Sequence, residues 1–289
     1  MVQGGEKKPV KIPIPVYMIQ HPQEGLILFD SGLGLNFKKH LEGWWLHRFF
    51  QNFLPYELGI GETAVEQLVQ EGIDPKEVRY VVVSHLHYDH AGGLADFPNA
   101  TLVVSEDEWR HANANRWQAA LRGYRKEQYQ DLENRVQIIE YPPGSVYGPF
   151  EASFDLFGDG SLILLETPGH TPGHQSLLVN GVEPCPNGAG PVSGPPPLTA
   201  SLAQKLAAGD QRGAPVRSHP PTCDVLLTGD AVWVPEGYQR PAPKGWKARF
   251  LEEARAEAWI TTQKIHQFHQ ENPEVMIVTG HDPEMKPFW

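Results

Sequence analysis

The chain has 289 residues, with 24 Lys+Arg against 35 Asp+Glu and a formal net charge of −11. That balance argues against a general nucleic-acid binder, because the phosphate backbone repels it. Hydrophobic residues at 40% and charged residues at 20% are ordinary for a folded protein and argue against global disorder. No apolar run approaches the roughly 20 residues that span a bilayer. The first eight residues carry no apolar signal core, so the expected location is cytoplasmic. Two cysteines make neither a disulfide framework nor a Cys-rich zinc site. Thirteen histidines, 28 glycines and 27 prolines are the unusual part of the composition.

In chain order, short apolar runs bounded by turn residues read as buried strands: Ile14–Ile19, Leu26–Phe29, Tyr80–Val83 and Thr101–Val104, then Leu162–Leu165, Ser176–Val179, Val225–Leu227 and Val275–Val278. Helical patterns lie between some of them. Thr63 to Glu71 is amphipathic and stops at Gly72. Ser105 and Glu108 form a capping box that opens a helix running to about Leu121. A third helix is expected from about Ala248 to Gln270, ahead of Asn272-Pro273. Interleaved strands and helices imply layers of helix on sheet within one domain spanning residues 1–289. The Pro/Gly-rich stretch 183–222 reads as an insertion between two core strands, either a functional loop or a solvated excursion. Cys185 and Cys223 bracket it and are expected as free thiols in a chain without an export signal.

Five of the apolar runs end alike, each passing at once into a ligand-type residue in a Gly/Ser/Thr/Pro turn. Phe29 leads to Asp30-Ser31-Gly32, and Val83 to Ser84-His85-Leu86-His87-Tyr88-Asp89-His90. Leu165 leads to Glu166-Thr167-Pro168-Gly169-His170, Leu227 to Thr228-Gly229-Asp230, and Val278 to Thr279-Gly280-His281. In layered α/β folds, chemistry gathers at the carboxyl ends of strands. His85 and His87, two apart in an extended turn, point the same way and suit one metal ion. Asp89 and His90 face a second position, at the roughly 3.5–4 Å spacing of two-metal hydrolytic sites. His170 and His281 supply one further nitrogen each, and the Asp230 carboxylate can bridge. Imidazole and carboxylate without thiolate suit Zn²⁺, with Mn, Fe and Co as alternatives. His174 reads as a residue that orients the turn or contacts a ligand from behind, and Asp30 either as a hydrogen-bond acceptor behind a ligand or as a plain turn residue. The remaining histidines, His21 and His111 among them, lack motif context and default to surface or packing.

The motifs His85-Leu86-His87-Tyr88-Asp89-His90, Thr167-Pro168-Gly169-His170, Thr228-Gly229-Asp230 and Gly280-His281 resemble the metallo-β-lactamase superfamily in type, order and spacing. The resemblance implies an α/β fold of the αβ/βα four-layer sandwich type with a dinuclear metal site at the sheet edge. It implies that His85, His87 and His170 hold one ion, that Asp89, His90 and His281 hold the other, and that Asp230 bridges. The segment Ile14–Gly32 is similar to the N-acyl homoserine lactone lactonases, which points to quorum quenching. The Thr167–Ser176 stretch is similar both to those enzymes and to glyoxalase II. Many of the lactonases carry a tyrosine three residues after the bridging aspartate; here that position is Trp233, with Tyr238 nearby as the candidate to compensate.

The expected activity is metal-dependent opening of a lactone or ester by hydroxide, with Asp89 passing a proton to the leaving alkoxide. The alternatives on the same site are a glyoxalase II-like thioesterase and a phosphoester or phosphotriester hydrolase. A redox module and a pure scaffold are weaker readings, because no flavodoxin-like region is appended and the ligand set is intact. The aromatic segment Trp44–Tyr56 is expected either to pack as a core or homodimer helix or to form a lid. In the lid reading, Trp45, Phe49 and Phe50 receive the apolar part of a small-molecule substrate.

Overall fold

The computed structural model describes residues 11–42, 56–114, 116–183, 222–242, 244–245 and 252–284. The expected lid residues Trp45, Phe49 and Phe50 and nearly all of the 183–222 stretch lie outside them.

Two five-stranded sheets form the centre. The first contains β1 (Tyr17–His21), β2 (Gly25–Phe29), β3 (Val78–Val82), β4 (Thr101–Ser105) and β5 (Val136–Ile139), in that spatial order. β1 and β2 form an antiparallel hairpin, and β3, β4 and β5 add in parallel. The second contains β6 (Ser153–Asp155), β7 (Leu162–Glu166), β8 (Gln175–Val182), β9 (Cys223–Leu227) and β10 (Met276–Val278), also in chain order. Only its β9–β10 pair is parallel. Among the described residues the α-helices are α1 (Phe37–Glu42), α2 (Ala64–Gln70), α3 (Glu106–Ala114), α4 (Arg116–Leu121), α5 (Pro235–Gln239) and α6 (Arg255–Glu271).

Strand periodicity explains why the sheets stack. Along β2, Ile27 and Phe29 face the second sheet, while Leu26 and Leu28 face outward onto Val65 and Leu68 of α2. Along β7, Leu162 and Leu164 face the first sheet, while Ile163 and Leu165 face outward onto Ile265 and Phe268 of α6. Both faces are covered, so Leu26–Phe29 and Leu162–Leu165 are apolar throughout. The layers run helix, sheet, sheet, helix, as the resemblance implies. No helix among the described residues is long and apolar enough to cross a membrane.

Several local features differ from the expectation. β5 and β6 are unannounced edge strands: Gln137 and Ile138 are exposed, and β6 has only three residues. Of the helix expected from Ala248, residues 248–251 lie outside the described residues; α6 itself begins at Arg255, because the Glu253 and Ala254 N–H groups donate to the carbonyls of His170 and Gly169 instead. The Thr63 capping box is complete, with Glu66 returning the bond. The Ser105 box is only half made: Ser105 Oγ accepts from Glu108 N at 3.2 Å, but the Glu108 side chain turns inward. Cys223 is disulfide-bonded rather than a free thiol; Cys185 lies outside the described residues. His21 is neither surface nor filler. Its Nδ1 accepts from Gln23 N and Glu24 N to close the first hairpin, and its Nε2 donates to Ser161 Oγ at 2.9 Å.

Leu164 is fully buried between the sheets. Leu164→Ala is expected to lower unfolding free energy by about 2–5 kcal/mol in urea titration, and a loss below about 1 kcal/mol would contradict a close-packed inter-sheet layer.

Candidate metal centre

β2 and β3 run parallel, and so do β7, β9 and β10, since two antiparallel steps separate β7 from β9. The five turns singled out in the sequence therefore all leave the carboxyl ends of strands. Backbone bonds lock the turns together: Ser31 N donates to His90 O at 2.9 Å, and Gln175 N donates to Ser84 O at 3.0 Å across the two sheets. Thr228 N donates to Val278 O, and His281 N to Trp233 O, each at 2.9 Å. Two glycines permit the close approach. A Cβ on Gly280 would lie 2.5 Å from Gly229 O, and one on Gly34 would lie 2.3 Å from Gly92 O.

These turns bring seven residues together. The potential ligand atoms of His85, His87 and His170 lie within 4.8 Å of one another, as do those of His85, His90 and Asp230, and those of Asp89, His90 and His281. Asp230 divides its carboxylate between the groups. Its Oδ2 is 3.3 Å from His170 Nε2, while its Oδ1 is 3.0 Å from His281 Nε2 and 3.4 Å from His90 Nε2. Six of the seven side chains are almost inaccessible; Asp89 is the exception, 22% exposed.

Hydrogen bonds behind the cluster decide which ring nitrogen faces it. Asp30 accepts from Ser84 N at 2.7 Å, from Ser84 Oγ at 2.8 Å and from His90 Nδ1 at 2.8 Å. Ser84 gives its hydroxyl proton to Asp30, so it accepts from His85 Nδ1 at 2.9 Å. His281 Nδ1 donates to the Pro13 carbonyl at 2.7 Å. The Nε2 lone pairs of His85, His90 and His281 are thereby turned inward, the effect that a partner on the far ring nitrogen has on a metal-binding histidine. Asp30 adopts a φ of 63°, the only non-glycine positive value among the described residues, and so reaches three donors at once.

His174 holds Asp230 rather than joining the cluster. Burial drives its pKa down to about 3, so it is neutral. Its Nε2 accepts from Asp230 N at 3.0 Å, which leaves Nδ1–H to donate to Thr167 Oγ1 at 2.9 Å. Thr167 then donates to Ser176 Oγ, and Ser176 to the Thr228 carbonyl. Each proton in this chain has one place to go, and the chain ends on the residue that opens the Asp230 turn.

The electrostatics invite cations. Burial would raise the Asp230 carboxyl, but His281, His90 and His170 hold it well below the usual carboxylate range. Burial depresses His85 and His170 well below the ordinary imidazole value, the neutral state a ligand requires. Burial would also depress His90 and His281, yet the neighbouring carboxylates, Asp230 foremost, push both upward. The buried Nε2 atoms of His85 and His90 have no hydrogen-bond partner. Dry, unpartnered nitrogen donors converging with a buried carboxylate between two triads fit a pair of divalent ions.

Sequence reasoning missed several residues here. Glu108 is buried; its Oε1 accepts from Leu86 N at 2.7 Å and its Oε2 from Thr171 Oγ1 at 2.6 Å, which fixes the turns of His87 and His170. Lys244 donates to the Asp230 carbonyl at 2.8 Å and lies 5.2 Å from the Trp233 ring. His111 pairs with Glu253, whose side chain also lies 3.8 Å from His87. Of the expected substrate contacts, Trp233 is at the cluster, its ring edge-on to His281 at 5.2 Å and to His170 at 6.3 Å. Tyr238 is placed elsewhere, in the apolar layer outside the second sheet, its ring on His269 and its carbonyl accepting from His266.

Comparison with known proteins agrees with this fold. A family model described as the metallo-beta-lactamase superfamily matches residues 11–182. The N-acyl homoserine lactonase AttM of Rhizobium radiobacter is 30% identical over 274 residues, covering 95% of this chain and 83% of the relative. An N-acyl homoserine lactone hydrolase solved with the product N-hexanoyl-L-homoserine at its catalytic metal center superposes with a TM-score of 0.61 at 22% identity, over 95% of this chain and 84% of that one. The dizinc quorum-quenching lactonase AidC superposes with a TM-score of 0.54 at 14% identity, over 95% and 74%. At those identities the two structures establish a common fold. With a matching family model over more than half its length and a relative aligned along nearly all of it, the chain belongs to the metallo-beta-lactamase superfamily.

Proposed function

We infer that this protein is a dinuclear metal-dependent hydrolase that opens the lactone ring of N-acyl homoserine lactones, the activity named for its relatives. The observation that carries the reading is the division of the Asp230 carboxylate, one oxygen toward His170 and the other toward His90 and His281. In this reading His85, His87 and His170 hold one ion, Asp89, His90 and His281 hold the other, and Asp230 joins them. Nitrogen and oxygen donors without thiolate favour Zn²⁺, with Mn, Fe and Co as competitors.

When bound, such a pair of ions supplies hydroxide from water near neutral pH and draws electron density from the substrate carbonyl. The chain does the rest. Asp89 is more open than Asp230, 22% exposed against 4%, and so is the carboxylate that would take up the proton released by the attacking water and return it to the leaving alkoxide. Trp233 presents a buried Nε1–H without a partner beside both triads, and we assign it to the substrate as a donor. Tyr88, between His87 and Asp89, stacks on Phe37 at 5.8 Å and closes an apolar cluster with Leu33. That cluster supports an acyl chain as the apolar part of the substrate; Trp45, Phe49 and Phe50, outside the described residues, are assigned to the same part of the substrate on their residue type alone.

The test is a hydrolysis panel with metal content measured on the same sample. An N-acyl homoserine lactone is expected to be turned over in preference to a glutathione thioester or a phosphotriester, with activity lost on chelation and restored by Zn²⁺. Preference for the thioester or phosphotriester would overturn the substrate reading. His170→Ala is expected to lose metal and activity together, and a fully active, metal-free variant would contradict the scheme. Trp233→Phe removes the N–H and keeps an aromatic ring. It is expected to lower kcat/KM by roughly 2–13-fold, the worth of one hydrogen bond; an unchanged value would remove Trp233 from substrate binding.

A further inference from the structure

A metal-bound histidine is aimed by the partner of its other ring nitrogen. His85, His90 and His281 have such partners in Ser84, Asp30 and Pro13. His87 does not: its Nε2 is buried without a hydrogen-bond partner. It faces Glu253 Oε1 at 3.8 Å, an atom that is also buried and unpartnered. A donor and an acceptor left facing one another in a dry interior are costly as they stand, and a closure of about 1 Å would join them.

The rest of Glu253 is pinned. Its Oε2 accepts from His111 Nε2 at 2.7 Å and from the Arg122 guanidinium. Its backbone N–H donates to the His170 carbonyl at 3.1 Å, and Ala254 N donates to Gly169 O at 3.0 Å. A Cβ on Gly169 would come 2.2 Å from Ala258, so the His170 turn lies directly against the start of α6. Glu253 thus grips the backbone of one histidine turn from the second sheet and reaches the imidazole of another from the first.

We propose that Glu253 is a positioning residue of the metal centre, its Oε1 accepting the Nε2–H of His87 and aiming Nδ1 at the ion shared with His85 and His170. The proposal rests on the dinuclear reading above. His87 Nδ1 lies 3.0 Å from His170 Nε2, a spacing that needs a proton between the two nitrogens or a common ion ahead of them. With an ion there, the one hydrogen left on the His87 ring is at Nε2, and Glu253 is the acceptor it faces. The carboxylate also makes the imidazole a better donor to the ion.

The test uses the full chain loaded with Zn²⁺, comparing wild type with Glu253→Ala, Glu253→Gln and Arg122→Ala. Competition with a chromophoric chelator reads the affinity of each ion, and proton NMR reads the ring N–H of His87. Glu253→Ala is expected to weaken one of two ions by about 10–100-fold and to lose the downfield His87 Nε2–H resonance. Glu253→Gln keeps an accepting oxygen of the same reach, so it is expected to retain the resonance and lose less affinity. Arg122→Ala breaks the outer ion pair alone and is expected to bind both ions nearly as wild type does. The proposal is overturned if Glu253→Ala holds both ions with wild-type affinity, or if Arg122→Ala loses as much as Glu253→Ala does. Should Glu253→Ala fail to fold, the Glu253→Gln spectrum decides, and loss of its resonance overturns the proposal. Wild-type protein that takes up fewer than two ions would instead overturn the dinuclear reading, before any variant is made.

Discussion

A single buried carboxylate, Asp230, sits where two groups of histidines meet, and its placement governs the rest of the centre. Fully withdrawn from water, it is held in its ionised form by the imidazoles that approach both of its oxygens. His281 and His90 do so on one side and His170 on the other. Its own backbone is fixed from behind through His174, Thr167 and Ser176, a chain in which every hydrogen has a single acceptor. A shift of this turn would disturb both groups at once.

The fold delivers these groups through repetition of one device. Five strands, drawn from two sheets, end in short turns at a common edge, and backbone bonds between turns fix their spacing. The histidines then differ in what stands behind them: a hydroxyl for His85, a carboxylate for His90, a main-chain carbonyl for His281. Those partners come from the segment before β1, the turn after β2 and the start of the His-rich turn itself. Binding geometry is therefore distributed over the first sheet, although three of the ligand-type residues (His170, Asp230 and His281) belong to the second.

The legible part of this architecture was the part buried on both faces. Leu26–Phe29, Leu162–Leu165, Leu177–Val179 and Val225–Leu227 read as apolar runs because each side chain meets either the other sheet or a helix layer. β5 and β6 were illegible because an edge strand needs no such run: Gln137 and Ile138 face solvent, and β6 is three residues long. The seven ligand-type residues were readable because they cluster by motif. Their supports were not, since the contacts join residues far apart in the chain, as in Pro13 with His281 and Glu253 with His87. Glu108 was hidden in another way. It occupied the third position of a capping box, a sufficient local reason for a glutamate, while its carboxylate spans Leu86 and Thr171. The start of α6 was misplaced for a related reason, because helix propensity yields where the His170 turn claims two backbone donors.

The most direct measurement is anomalous X-ray diffraction from crystals of the zinc-loaded protein, recorded on both sides of the metal edge. Two peaks about 3.5–4 Å apart are expected, one on each oxygen of Asp230, the first against His85, His87 and His170 and the second against Asp89, His90 and His281. A single peak, or a pair that does not straddle Asp230, would contradict the account.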